Sequence, residues 1–239
     1  ATGIGNIDST GSVNTDAGFS IISYTGTGSA GTVAHGLGAV PKMIIIKSRN
    51  TTSLWGVYHQ AIGNTHGLFL NATNAATSLS AYWNNTSPTS SVFSLGGDAD
   101  INKSSDPLIA YCFAEKQGYS KFGSYVGNSN ANGTFIYTGM KPSFILIKSS
   151  SDVTNWQIYD NKRLGYNVDN NALRANLSNA ELTDNDIDIL SNGFKIRKVS
   201  DQFNGGAFVY QYLAFAENPF VTSTGIPTTA RWLCSYLLT

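Results

Sequence analysis

The chain has 239 residues, of which 41% are hydrophobic and only 13% charged, and its formal net charge is zero. That balance excludes a disordered chain, which needs low hydrophobicity and high net charge, and it offers no basic footprint for nucleic acid or an anionic membrane surface. No apolar run reaches the roughly 20 residues that span a bilayer as a helix, so no membrane span is expected.

In chain order, Ala1 to Ala17 is Gly, Ser, Thr, Asn and Asp with little to bury, and reads as a linker or arm over 1–17. It opens on Ala1 rather than Met, as a fragment or a processed product would. A first repeat is expected over 18–117, with strands at Phe19–Tyr24, in a central run ending on Lys47, and at Trp55–His59, Leu68–Leu70, Val92–Leu95 and Leu108–Ala114. A second repeat over 118–220 runs the same course, with strands at Ser120–Val126, Thr134–Tyr137, Phe144–Lys148, Trp156–Tyr159, Phe194–Val199 and Phe208–Ala216. Ala172 to Leu190 is its least β-like part, and a short helix is expected at Asn179–Asp184. Residues 221–239 form a C-terminal tail.

The central run occurs twice, as GAVPKMIIIK (Gly38–Lys47) and GMKPSFILIK (Gly139–Lys148). Pro can sit at the mouth of a strand but not inside a central one, because it lacks the N–H and fixes φ. The copies stay in step well beyond that run: Tyr24 matches Tyr125, Lys47 matches Lys148 and Trp55 matches Trp156, each at 148 − 47 = 101 residues. Strands at regular spacing with turn residues between, and no sustained helical period, argue for an all-β fold. The expected architecture is two tandem antiparallel β-sandwich repeats, jelly-roll or lectin-like, related by internal duplication. A single pseudosymmetric sandwich or barrel built from both halves is the alternative.

Several motifs are open to a chemical reading. Gly26, Gly28 and Gly31 spell G-x-G-x-x-G, but TVAHGLGAVPK follows where a dinucleotide fold needs a helix, so this is a glycine-rich hairpin loop. Ser29 in TGSAG lacks the first Gly of a nucleophile elbow. His35, His59 and His66 have no metal-ligand spacing and read as turn or edge histidines. Glu115 and Glu217 end equivalent strands. Facing each other, such carboxylates could do glycosidase acid/base work; the bland alternative pairs them with Lys47 and Lys148. Asp184, Asp186 and Asp188 form D-x-D-x-D, hard oxygen donors of the kind Ca²⁺ takes, without the Gly and distal Glu of an EF-hand. No cofactor is expected; Ca²⁺ on this triplet is the alternative to a solvated acidic loop. Of the two cysteines, Cys112 reads as a buried small hydrophobe, and a bridge to Cys234 is not expected. One of each pair, Trp55 with Tyr58 and Trp156 with Tyr159, should face the core. Tyr82 and Trp83, followed by Asn84 and Asn85 in an uncharged Asn/Thr/Ser segment, make a candidate sugar-stacking site with His59, against the alternative of rings packed in the core.

The runs G-F-S-I-x-S-Y-T-G-x-G-S-A-G-T-V-A-H-G-L-G-A-V-P-K, W-x-V-Y-H, I-A-Y-C-F-A-E and A-F-A-E-N-P-F-V-x-S-T-G-I-P-x-T-A-R resemble an uncharacterised domain at the C-terminal end of virion proteins of marine tailed bacteriophages, over Gly18 to Arg231. The resemblance implies a virion structural component, of tail-fibre or receptor-binding type, located in the virion or outside cells, and transfers no catalytic residue. The residues WLCSYLLT (232–239) depart from it. The expected function is binding of a bacterial surface glycan, with a homotrimer as the fibre-tip assembly. A polysaccharide-degrading enzyme and a capsid or tail decoration protein contacting only virion proteins are the alternatives.

Overall fold

Pro41 and Pro142 stand at the mouths of two apolar strands, and each strand lies inside a sheet with neighbours on both sides. A computed structural model of the chain describes residues 3–163, 167, 171–183 and 186–219. Its contacts divide into two units, Ala1–Ala114 and Glu115–Thr239, so the boundary falls just before the expected residue 118.

In the first unit the chain forms β1 (Ser9–Asn14), β2 (Phe19–Thr25), β3 (Gly31–Ala34), β4 (Met43–Ser48), β5 (Gly56–His59), β6 (His66–Phe69) and β7 (Thr77–Ser78). One helical turn, α1 (Ser80–Trp83), then β8 (Val92–Leu95), a second turn α2 (Ala99–Asn102) and β9 (Pro107–Phe113) complete it. Seven strands pair in the order β1-β2-β9-β4-β5-β6-β7, and β3 pairs with β8 in a second, smaller sheet. Strand alternation packs the two sheets together: Ile22 and Tyr24 of β2, Ile44 and Ile46 of β4, and Leu108, Ala110 and Cys112 of β9 meet Val33, Phe93 and Leu95 of the small sheet in one core. Each such aliphatic or aromatic side chain contributes about 1.5–3 kcal/mol by burial.

The second unit contains β10 (Ser120–Val126), β11 (Phe135–Tyr137), β12 (Pro142–Ser149), β13 (Gln157–Asp160), β14 (Ala172–Arg174), β15 (Ile187–Leu190), β16 (Gly193–Ile196) and β17 (Val209–Ala216). Its large sheet runs β10-β17-β12-β13-β14 and its small sheet β11-β16-β15, again with every pair of neighbouring strands antiparallel. The order matches β2-β9-β4-β5-β6 of the first unit. An all-β, antiparallel, sandwich-type fold is therefore what the chain adopts.

Hydrogen bonds at equivalent positions follow the same plan. Tyr24 Oη donates to Ile101 O at 2.6 Å, and Tyr125 Oη to Phe203 O at 2.7 Å. Fully buried Asn102 donates Nδ2 to Ser29 O and Gly96 O, both at 2.7 Å, as Asn204 does to Asn130 O at 2.8 Å and Lys198 O at 3.0 Å. The glycine-rich loop closes on Asn102. Gly28, at φ +70°, donates its N–H to Asn102 O at 2.7 Å, and a Cβ on Gly26 would lie 2.2 Å from Lys103 O.

Three expectations need correction. Residues 9–14 are no free arm, since all six pair with β2, and Ile7 is buried in a bridge to Val33. Their side chains are mostly exposed, so the backbone ladder, invisible to hydrophobicity, holds them. No helix forms over 179–183; Leu182 instead exchanges two backbone hydrogen bonds with Ala172, both at 2.9 Å. Asn and Asp are weak helix formers, and Leu182 packs onto the core. The segment judged least β-like holds β14 and β15, because Ile187 and Ile189 alternate inward on a strand only four residues long.

Candidate functional site

The aromatic candidates of the first unit turn out to be structural. A single helical turn points both rings inward, so Tyr82 and Trp83 are each 1% exposed. Tyr82 Oη donates to Asp100 Oδ2 at 2.6 Å and Trp83 Nε1 to His66 O at 3.0 Å. Their edges meet Tyr58 and Phe69 at ring-centroid distances of 5.6 and 6.0 Å. Burial, aided by Asp100, pushes the Tyr82 phenol far above its ordinary range. These rings have no face for a sugar to stack on, and the core reading replaces the stacking one. Asn84 and Asn85 are exposed at φ 50° and 47°, left-handed positions that Asn tolerates, and they reverse the chain after the helical turn. His59 is buried, with Nδ1 accepting from Ala61 N at 3.2 Å.

The other histidines also serve the frame. His35 is fully buried; its Nδ1 accepts from Leu37 N at 3.2 Å and its Nε2 lies 3.1 Å from Thr89 O, and burial lowers its pKa. His66 Nδ1 lies 2.9 Å from Thr65 Oγ1. Cys112 is buried and free, with its thiol pushed up to about 12 by burial, while Cys234 lies outside the described residues. Tyr58 is a core ring and Trp55 half-buried, whereas Trp156 and Tyr159 are both buried. Trp156 sits just ahead of β13, so strand alternation does not apply to it.

The carboxylate candidates are held by cations. Glu115 pairs with Lys121 at 2.8 Å and Glu217 with Lys141 at 2.7 Å. The partners expected for them, Lys47 and Lys148, bind loops instead: Lys47 Nζ donates to Thr51 O at 2.6 Å, and buried Lys148 to Ser149 O at 2.6 Å and Thr154 Oγ1 at 3.2 Å. The hydrogen-bonding Lys141 ammonium holds the Glu217 carboxyl below the usual range. Glu115 has a further task. Its Oε2 accepts from Phe122 N at 3.1 Å, capping an N–H of β10, which is an edge strand. Of the acidic triplet, Asp184 lies outside the described residues. Asp186 accepts from Tyr159 Oη at 2.9 Å with Lys198 Nζ at 3.8 Å, and Asp188 is 3.1 Å from Arg197 Nε. Both carboxylates are thus already compensated, and among the described residues no three acidic, His or Cys side chains group as a metal site would.

Among the described residues, exposed aromatic surface lies elsewhere. On β11, Ile136 points into the core and its neighbours point out, so Phe135 and Tyr137 are 43% and 65% exposed. Each ring rests on a glycine: a Cβ on Gly193 would lie 3.2 Å from Phe135 Cε2, and one on Gly139 would lie 3.5 Å from Tyr137 Oη. Strand register sets Lys195 opposite Phe135, and Asp188 opposite Lys195 on its other side. The outer face of this sheet therefore presents two rings, an ammonium and the Arg197–Asp188 ion pair. Asn192, exposed, closes the face at the turn, where its carbonyl accepts from Thr138 N at 3.0 Å and Gly139 N at 3.2 Å.

The sequence carried the signal for this face. Once Ile136 is placed inward, strand alternation turns both rings out, and the 101-residue offset sets them against Ala34 and Gly36 in the first repeat. In the first unit those small residues border a groove of about 430 Å³, lined also by Ile4, Val13, Ile22 and Ser91, with no ionisable side chain in its wall.

A sequence family described as a domain of unknown function, DUF7483, matches residues 1–219. The chain belongs to the DUF7483 family. The matched stretch takes in both units and includes the N-terminal strand, so β1 is part of the DUF7483 domain rather than an appendage. It ends before the tail at 232–239, which lies outside the described residues. No curated protein and no solved structure matches this DUF7483 chain. No helix among the described residues is long and apolar enough to cross a membrane.

Proposed function

We propose that the chain is a binding module of a bacteriophage particle, and that it contacts a bacterial surface glycan through the outer face of β11, β15 and β16. The carrying observation is the pair of exposed rings, Phe135 and Tyr137, beside charged side chains on a rigid sheet. A pyranose presents an apolar C–H face that buries ring surface, while its rim hydroxyls need hydrogen-bonding groups at the border. Lys195, the Arg197–Asp188 pair and Asn192 supply those groups. Both rings lie on strand residues two apart, so little ordering entropy is lost on binding. The virion setting and a trimeric assembly rest on the resemblance to phage virion domains.

The test is an array of bacterial surface polysaccharides, with bound spots assayed for released reducing ends. Binding that disappears in Tyr137→Ala and Phe135→Ala, with no release, is the expected result. Release of reducing ends would move the assignment to a depolymerase. No binding to any polysaccharide would sink the glycan reading and leave a decoration protein with only virion partners. Sedimentation of the full chain checks the trimer.

A further inference from the structure

We infer that the glycan is anionic, a polysaccharide carrying uronate-type carboxylates, with Lys195 as the residue that selects it; the inference rests on the glycan reading above. Lys195 is half-buried on the ring-bearing face, and its Nζ donates to Gly133 O at 2.7 Å. An ammonium has three N–H donors, and a carbonyl leaves its charge uncompensated. The adjacent carboxylate, Asp188, is taken by Arg197 at 3.1 Å, and Lys198, farther along, is 3.8 Å from Asp186. Among the described residues Lys195 has no acidic partner, while the cations that follow it on the same segment do.

Geometry makes this charge useful. Its stem starts directly opposite Phe135, one cross-strand pair away, and the Gly133 carbonyl holds the ammonium in place. A sugar stacked on Phe135 would bring an exocyclic carboxylate within reach of that ammonium, where a charge-assisted hydrogen bond is about twice as strong as a neutral one. Arg197 neutralises Asp188, so the nearest negative charge does not repel the ligand.

The experiment spots acidic bacterial capsular polysaccharides beside their carboxyl-reduced forms and probes both with the full chain at low and high salt. The acidic form is expected to bind at least about tenfold more tightly at low ionic strength, with the preference shrinking as salt screens it. Lys195→Gln should weaken binding of the acidic form down to the level of the carboxyl-reduced form, whereas Tyr137→Ala should abolish both. Equal binding of the two forms by the unaltered protein overturns the anionic class and leaves the glycan reading standing. A preference that survives Lys195→Gln overturns the role of Lys195. No binding to either form overturns the glycan reading and this inference with it.

Discussion

Asn102→Ala removes the side chain that ties two loops to one helical turn. Asn102 is fully buried, donates Nδ2 to Ser29 O and Gly96 O at 2.7 Å each, and accepts from Thr27 N at 2.9 Å. A typical hydrogen bond contributes about 1 kcal/mol net, and a buried partner left without one costs about 1–3 kcal/mol. Two of the three lost bonds count about 1 kcal/mol each and the one to Gly96 O, left inside the fold, about 1–3, so about 3 to 5 kcal/mol of stability should go. Urea unfolding followed by Trp fluorescence measures this as a lower midpoint at unchanged slope. Asn204→Ala in the second unit, with donors at 2.8 and 3.0 Å and an acceptor bond to Asn128 N at 3.0 Å, should lose a similar amount. A loss under about 1 kcal/mol in both variants would refute the argument, because it would mean that water replaces the side chain at no penalty.

Trp83→Ala should cost about 3–5 kcal/mol by emptying a fully buried ring site, while Tyr137→Ala, on the surface, should stay within about 0.5 kcal/mol; thermal or urea melts separate them. Glu115→Ala uncaps Phe122 N–H on the β10 edge, and light scattering should show concentration-dependent self-association beyond that of the unaltered chain. Burial depresses the Lys148 ammonium to about 8, so the unfolded chain binds its proton more tightly and stability should rise with pH above 8. Up to about 3 kcal/mol is gained by pH 10, at 1.36 kcal/mol per pH unit. Above pH 10 the buried tyrosines, held un-ionised in the fold, reverse the trend. Lys148→Met should flatten the rise between pH 8 and 10, and an unchanged slope would show that another group titrates.

How far the fold is legible depends on where each segment's stability comes from. Val92–Leu95 and Ser120–Val126 could be read to the residue, because β-prone residues bounded by turn residues mark them. β1 was unreadable for the opposite reason: its polar side chains face out, and only backbone pairing with β2 holds it. Tyr82 and Trp83 misled because their polar neighbours report their own exposure, not the direction of the rings. A turn of four residues was enough to bury both. Asn102 could not be recognised at all, since a buried hub and an ordinary loop asparagine look alike in one sequence.

The two units share the same frame and differ in what they place on it, and the proposed site rests on that difference rather than on any shared motif. The residues in common, such as Tyr24 with Tyr125, Asn102 with Asn204 and Lys47 with Lys148, are occupied in hydrogen bonds that hold loops to sheets. All of these but Lys47 are also buried, and a buried side chain offers no surface to a ligand. At the edge of the small sheet the units part. In the first, residues 6–14 run along that edge, with Asn6 and Ile7 N–H groups donating to Thr32 O, and a Cβ on Gly36 would lie 2.9 Å from Val13 Cγ2. Gly36 therefore leaves the room that Val13 fills. In the second, the counterparts of Thr32 and Ala34 by strand register are Phe135 and Tyr137, with nearly half or more of each residue in solvent. Packing alone gives no reason to hold two large rings in water, since their burial elsewhere would each be worth about 1.5–3 kcal/mol. The glycan proposed above, by covering them, would supply one.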